Sequence, residues 1–304
     1  PSVFLSITTI LAVFVTYYLG YKIHSRTTGL IAATISSFSF NIAIASRWLS
    51  NPTPMLLLSV LLVWMMILVT EKKMWAWPGV AFILGLSLFH FGSSGEVFYF
   101  LALVIFALWQ RKNLPNKKIF LISLALFFIT VLPLVAFDLK NRGLLTGNIR
   151  NFLFEGEASF GLPTWRHVGD KIDFFYDVFT NKIFNGRYVK ENLFLATVFL
   201  SFIYYLHKLI KRDGVKILLL LLAAGCLGII FFQGNFGNIY DYYLTGYYLV
   251  FVLLFSAGLG ALWSLPAQAG SGGKIFVLYF IYFFLTNNAD VLKFKLTDKS
   301  DGPL

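Results

Sequence analysis

Charge is scarce in this sequence. Only 13% of the 304 residues are charged, against about a quarter in an average soluble domain, and the acids are rarest, 14 Asp and Glu beside 25 Lys and Arg. Cysteine is almost missing. The single Cys226 excludes an intramolecular disulfide and any thiolate metal motif. Four histidines, His24, His90, His167 and His207, show no ligand spacing, so no protein-built zinc site is expected. Gly-Ser-Gly-Gly at 270–273 has no Lys-Ser/Thr behind it and no strand before it, which excludes a phosphate loop. No internal repeat is visible.

What fills the chain instead is apolar: 58% hydrophobic residues, 18% aromatic, and a mean hydropathy of +0.75. A water-soluble enzyme is ruled out, because the charges gather in short clusters between runs too long to be core strands. Asking for roughly 20 apolar residues per crossing gives about ten spans, near 2–21, 28–45, 54–70, 77–91, 96–110, 119–137, 192–206, 217–232, 242–263 and 275–289. Lipid offers no hydrogen bonds to a backbone, so these segments must be helical. The expected fold is an all-α polytopic transmembrane bundle. It divides into N-terminal spans over 1–137, a long external loop with interfacial helices over 138–191, C-terminal spans over 192–289, and a tail over 290–304.

Sidedness follows from the basic residues. Alternate connections hold Lys22 and Arg26, Lys72 and Lys73, Arg111 to Lys118, Lys208 to Lys216, and Lys274, whereas the opposing short connections hold Arg47 alone. The positive-inside rule puts the first set in the cytoplasm. A net charge of +11 therefore reflects membrane orientation and surrounding lipid, and no nucleic acid partner is expected. Of the acids, only Glu71 and Asp213 fall on the cytoplasmic side. Glu96, Asp138 and Asp241 gather outside with Arg47, His90, Lys140 and Arg142. Such a distribution suits an outer-face site that handles a charged, lipid-linked substrate.

Several segments resemble one family. PSVFLSITTILAVFVTYYLGYKIHSRTTGLIAATISSFSFNIAIASRWLSNPTP is similar to the early helices of the GT-C superfamily of polyprenyl-phosphate-sugar-dependent glycosyltransferases. The likeness is to the bacterial members related to protein mannosyltransferases and aminoarabinose transferases, where a helix ends in Ser-Arg near an Asn-Pro, as Ser46, Arg47, Asn51 and Pro52 do here. GLSLFHF around His90 resembles the family's Gly-Leu-x-x-x-His segment. LPLVAFDLKNRGLLTGNIRNFL resembles its Leu-Pro helix end with Phe-Asp-Leu-Arg, and YDYYLTGYYLVFVLLFSAGLGAL its late Tyr-Tyr helix.

The resemblance implies an inverting transfer of a hexosyl or pentosyl group from a polyprenyl-phosphate donor to a lipid, glycan or protein acceptor at the extracytoplasmic face of the cell membrane. It names no organic cofactor and leaves a divalent metal undecided. Family members begin with one more helix and an outer loop bearing an acidic motif. That part would precede Pro1, so this stretch alone is expected to be inactive. Within it, Asp138 is the best remaining catalytic acid, and Arg47, Lys140 and Arg142 are candidates for holding the departing phosphate. His90, Glu96, Asp241 and Tyr243 are expected to bind substrate. A lipid-linked sugar flippase is the main alternative, disfavoured because the span centres carry almost no charge. An inactive membrane scaffold is the other.

Overall fold

The computed structural model describes residues 2–47, 50–154, 158–160, 164–184, 189–235, 239–265 and 271–297. In chain order the helices are α1 (Ser2–Ile23), α2 (Arg26–Phe38), α3 (Phe40–Arg47), α4 (Met55–Thr70), α5 (Ala76–Leu86), α6 (Tyr99–Trp109), α7 (Lys117–Lys140) and α8 (Leu144–Phe154). They continue with α9 (Trp165–Phe184), α10 (Val189–Tyr204), α11 (Leu206–Leu209), α12 (Asp213–Phe231), α13 (Tyr248–Trp263) and α14 (Gly272–Thr297). Two short strands, β1 (Ala158–Phe160) and β2 (Phe232–Asn235), pair antiparallel with an irregular register.

Each of the ten expected spans falls on an apolar helical segment. Among the described residues five helices are long and apolar enough to cross a membrane: Val3–Ile23, Lys117–Lys140, Asp213–Phe231, Asp241–Trp263 and Gly272–Lys293. A sixth arises if Arg26–Phe38 and Phe40–Ser46, bent by 64°, count as one broken span. Met55–Thr70, Ala76–Phe91, Glu96–Trp109 and Glu191–Tyr204 are apolar but shorter. Only 6% of the α7 window is buried, although its residues are among the most apolar in the chain. In water such a face would aggregate, whereas in lipid it is the ordinary outer surface of a bundle.

The chain divides into two compact units. The first joins residues 1–49, 176–216 and 248–304. Here α1 and α2 approach closely because glycines meet: a Cβ on Gly20 would lie 2.7 Å from the Gly29 Cα, and one on Gly29 would lie 2.5 Å from the Tyr17 carbonyl oxygen. Gly29→Val is expected to cost roughly 1–3 kcal/mol by overpacking. Thermal unfolding in detergent checks it, with Gly147→Ala, where nothing lies within 4 Å, as the silent control.

The core of this unit is aromatic. Phe184, fully buried at the end of α9, is ringed by Phe194 of α10, Phe255 of α13, and Phe280 and Phe283 of α14, with centroids 6.1 to 6.4 Å away. The last carbonyls of α9 have no helical partners of their own. Side chains from the α2–α3 bend, α3 and α14 supply them. Ser39 donates to the Lys182 carbonyl, Asn41 to Asn181 at 2.6 Å, Asn288 to Ile183 at 3.3 Å, and Asn287 to Phe184. Asn288 also accepts from the Phe40 amide at 2.8 Å. The hydroxyl of Ser39 accepts from the Ile42 amide at 3.2 Å, which starts α3 across the bend.

Three differences from the sequence reading emerge. The amphipathic stretch 171–184, expected to lie along the membrane surface, is helical, but its end is built into the core: Val178, Phe179, Ile183 and Phe184 are all buried. Helix α7 runs on through Asp138 to Lys140, because the first residues to stop it are Arg142 and Gly143, at φ of 55° and 81°. Helix α14 continues past 289, so Asp290 and Lys293 belong to a helix and not to a tail.

The second unit joins 50–175 and 217–247. Its helix ends meet as the alternation of sides requires. The indole of Trp77, just past the 71–76 connection, donates to the Asn113 carbonyl at 2.9 Å, so two connections expected on one side touch. At the other end, the 92–98 turn bonds to the 240–247 segment, and β1 of the long loop pairs with β2.

Candidate active site

That second end carries most of the residues singled out from sequence. Helix α5 runs into a π-helical turn over Ser87–Phe91, a widened turn often found at functional positions. It closes at Gly92, where a Cβ would strike the Ser87 carbonyl. The turn delivers His90 to α7, and His90 Nε2 lies 2.6 Å from the Thr130 carbonyl oxygen. A carbonyl can only accept, so Nε2 carries the ring proton. Thr130 also fills the space beside Gly85, which fixes α5 against α7.

Glu96 is wholly buried, and its carboxylate is fully engaged within the protein. Oε1 accepts from the Gly246 amide at 2.7 Å. Oε2 accepts from both the amide and the hydroxyl of Ser93, each at 2.7 Å. Around this core, Tyr99 Oη donates to the Gly246 carbonyl at 2.6 Å and Tyr247 Oη to the Gly95 carbonyl at 2.8 Å. The two rings meet edge to face at 5.1 Å. A Cβ on Gly95 would run into the Tyr243 carbonyl. Gly225 and Gly228 of α12 make room for the rings of Tyr247 and Phe98. Expected to touch substrate, Glu96 is instead a latch that locks the 93–96 turn to residues 242–247. His90 and Glu96 bond to different partners.

What the latch positions is a tyrosine cluster. Asp241 is exposed and opens the 3-10 turn Asp241–Tyr247. Tyr240 and Tyr242 stack at 5.6 Å with their planes 12° apart. Tyr243, buried beneath, meets Tyr242 edge to face at 4.8 Å and Tyr240 at 5.7 Å. Flat aromatic faces beside a carboxylate present apolar surface and acceptors together, which suits a sugar's CH faces and hydroxyls.

Asp138 sits in the last turn of α7, and its carboxylate caps the next helix. Oδ1 accepts from the Leu145 amide at 2.6 Å and the Thr146 amide at 3.2 Å, and Oδ2 accepts from the Thr146 hydroxyl. The Gly143 amide returns to the Asp138 carbonyl at 2.9 Å, a 6→1 bond closing the corner through Arg142. Lys140 and Arg142 project from this corner, both exposed. Thr130 and Asp138 are eight residues apart on α7, about 12 Å along the axis at 1.5 Å per residue, so His90 and Asp138 occupy different levels. The side chain of Arg47 lies outside the described residues. No group of three or more His, Cys, Asp or Glu able to hold a metal occurs among the described residues.

Sequence reasoning missed Ser93, Tyr99, Gly246 and Tyr247, whose partners lie some 150 positions apart, and the Asn287–Asn288 pair that caps α9.

Residues 2–137 fit the family model described as dolichyl-phosphate-mannose-protein mannosyltransferase. The matched stretch takes in α1 to α6 and nearly all of α7, with Arg47, His90 and Glu96, and stops one residue before Asp138. No curated protein and no solved structure matches the chain. The similarity to that family is confined to residues 2–137, a stretch of apolar helices that makes up a little under half of the chain.

Proposed function

We propose that the protein transfers a sugar from a polyprenyl-phosphate carrier to an acceptor hydroxyl at the extracytoplasmic surface of the cell membrane. The family match over residues 2–137 carries this reading. In the transfer the acceptor oxygen attacks the anomeric carbon, the bond from that carbon to the phosphate oxygen breaks, and the acceptor proton passes to a base. The polyprenyl phosphate leaves with an added negative charge. Fixed cations at the membrane boundary favour that departure. Lys140 and Arg142 supply them, held out by the corner that Asp138 closes. The Tyr240–Tyr243 platform with Asp241 receives the sugar or acceptor, and Glu96 keeps that platform in place. His90, tied to the Thr130 carbonyl through Nε2, keeps Nδ1 as an acceptor for a substrate hydroxyl.

The test is transfer of labelled sugar in membranes containing the whole gene product. The double variant Lys140→Gln/Arg142→Gln is expected to lower turnover at least tenfold, the scale of one or two lost charge-assisted bonds at about 1.4 kcal/mol per decade, with membrane expression unchanged. Wild-type turnover in that variant would remove both residues from the site.

A further inference from the structure

A second polar feature lies in the first unit. The corner between α1 and α2, the α10–α12 connection and the end of α13 enclose a cleft of about 370 Å³ lined by His24, Tyr205, Lys208, Lys211, Arg212 and Ser264 among others. Four of these side chains are basic, and none of the residues lining it is an acid. The nearest acid in sequence, Asp213, is paired with Lys216 at 2.9 Å. All the lining segments belong to connections that the distribution of Lys and Arg assigns to the cytoplasmic side.

The cleft is built and not merely a basic loop. His24 Nδ1 lies 2.9 Å from the Thr28 hydroxyl and 3.2 Å from that of Ser25. Ser25 caps α2 through the Thr28 amide at 3.2 Å, so the positive end of α2 sits beside the imidazole. Gly260 of α13 leaves the room that Thr28 and His24 occupy: a Cβ there would strike the Thr28 hydroxyl and come within 3.0 Å of Nδ1. Burial, and after it the Arg212 charge, hold the His24 imidazole below its usual value. Lysines placed only by the positive-inside rule spread into solvent. Here three cations and a fixed imidazole surround one concavity with no counter-charge lining it.

We propose that this cleft is a binding site for a phosphate group, carried either by an anionic lipid headgroup of the inner leaflet or by a free phosphate compound. Arg212 offers a planar fork for two phosphate oxygens, Lys208 and Lys211 offer point charges, and Ser264 and Tyr205 offer hydroxyl donors. The site takes no part in the transfer reaction.

The test uses the whole protein in nanodiscs of phosphatidylcholine doped with phosphatidylglycerol, with bound lipid read by native mass spectrometry. Inorganic phosphate is the competitor. The expected result is retained phosphatidylglycerol whose affinity falls at least tenfold in Lys211→Gln/Arg212→Gln. Both side chains are exposed, so the fold is preserved, and circular dichroism verifies it. Lys112→Gln/Lys118→Gln, an equal loss of charge elsewhere, should retain the lipid. Displacement by inorganic phosphate, or binding of phosphate without lipid, identifies a free phosphate as ligand, and lipid retention that phosphate does not disturb identifies the headgroup. Binding of neither probe, or equal losses in the two double variants, overturns the proposal.

Discussion

Glu96→Leu is expected to be the most damaging single substitution in the second unit. Leucine fills the space but strands two backbone donors that now bond to the carboxylate at 2.7 Å, the buried amide of Gly246 and the half-buried amide of Ser93. An orphaned buried donor costs about 1–3 kcal/mol and a half-buried one less, so the loss is roughly 1–4 kcal/mol, a large part of a typical stability margin. Glu96→Gln should be milder. Its carbonyl oxygen can serve one amide, but its NH2 faces the other donor. Gly246→Ala should resemble Glu96→Leu, because its Cβ would lie 2.5 Å from Tyr99 Oη and 2.8 Å from Glu96 Oε1. Thermal unfolding in detergent reads all three. A Glu96→Leu protein as stable as wild type would show that the latch carries no weight. Sugar transfer should fall along with stability, since the latch sets where Asp241 and the tyrosines sit.

Asn288→Leu comes second. The amide of Asn288 donates to the Phe284 carbonyl at 2.8 Å and the Ile183 carbonyl at 3.3 Å, and its oxygen accepts from the Phe40 amide at 2.8 Å. Leucine matches its size and satisfies none of these groups. The Phe40 amide and the Ile183 carbonyl are buried where lipid and aromatic rings offer no water, so a loss of roughly 2–4 kcal/mol is expected. Hydrogen exchange should localise the damage to the first turn of α3 and the α14 turn around Asn288, and the aromatic cluster around Phe184 should loosen. Unchanged protection of the Phe40 amide in Asn288→Leu would contradict this account of the α9 cap. Asn288→Asp keeps the acceptor for Phe40 but sets a negative charge against helix-end carbonyls, and it should be no better than leucine.

The helices themselves were legible because hydropathy is a local property: a run such as Leu56 to Val69 cannot be anything but a buried or lipid-facing helix. The break at Ser39 was not. Ser36, Ser37 and Ser39 sit in an apolar context that reads as one continuous span. What turns the chain there is the Ser39 hydroxyl, shared between the Lys182 carbonyl and the Ile42 amide. Its long-range partner lies 143 positions away and leaves no trace in the local pattern. The same holds for Glu96. Its position before an apolar run announced an interfacial acid, but only the fold shows that Gly246 and Ser93 use up its oxygens.

Asp138 shows the opposite case. A cap on the following helix is signalled by Thr146 and by the Arg142–Gly143 turn. His24 was set aside for want of ligand spacing, and its meaning appears only when Lys208 to Arg212 close around it. One signal was available beforehand. Both segments belong to the connections placed on the same side by their basic residues.

Sidedness is the claim on which the rest depends, because the proposed sugar transfer needs Arg142 and Asp241 at one aqueous boundary, and the proposed phosphate site needs the His24 cleft in the cytoplasm. Single cysteines on a Cys226→Ser background, at Arg142→Cys, Asp241→Cys and Lys211→Cys, tested with a membrane-impermeant maleimide on intact cells, decide it. The account predicts labelling of the first two from outside and of the third only after permeabilisation. Labelling of Arg142→Cys and Lys211→Cys from the same side would contradict it.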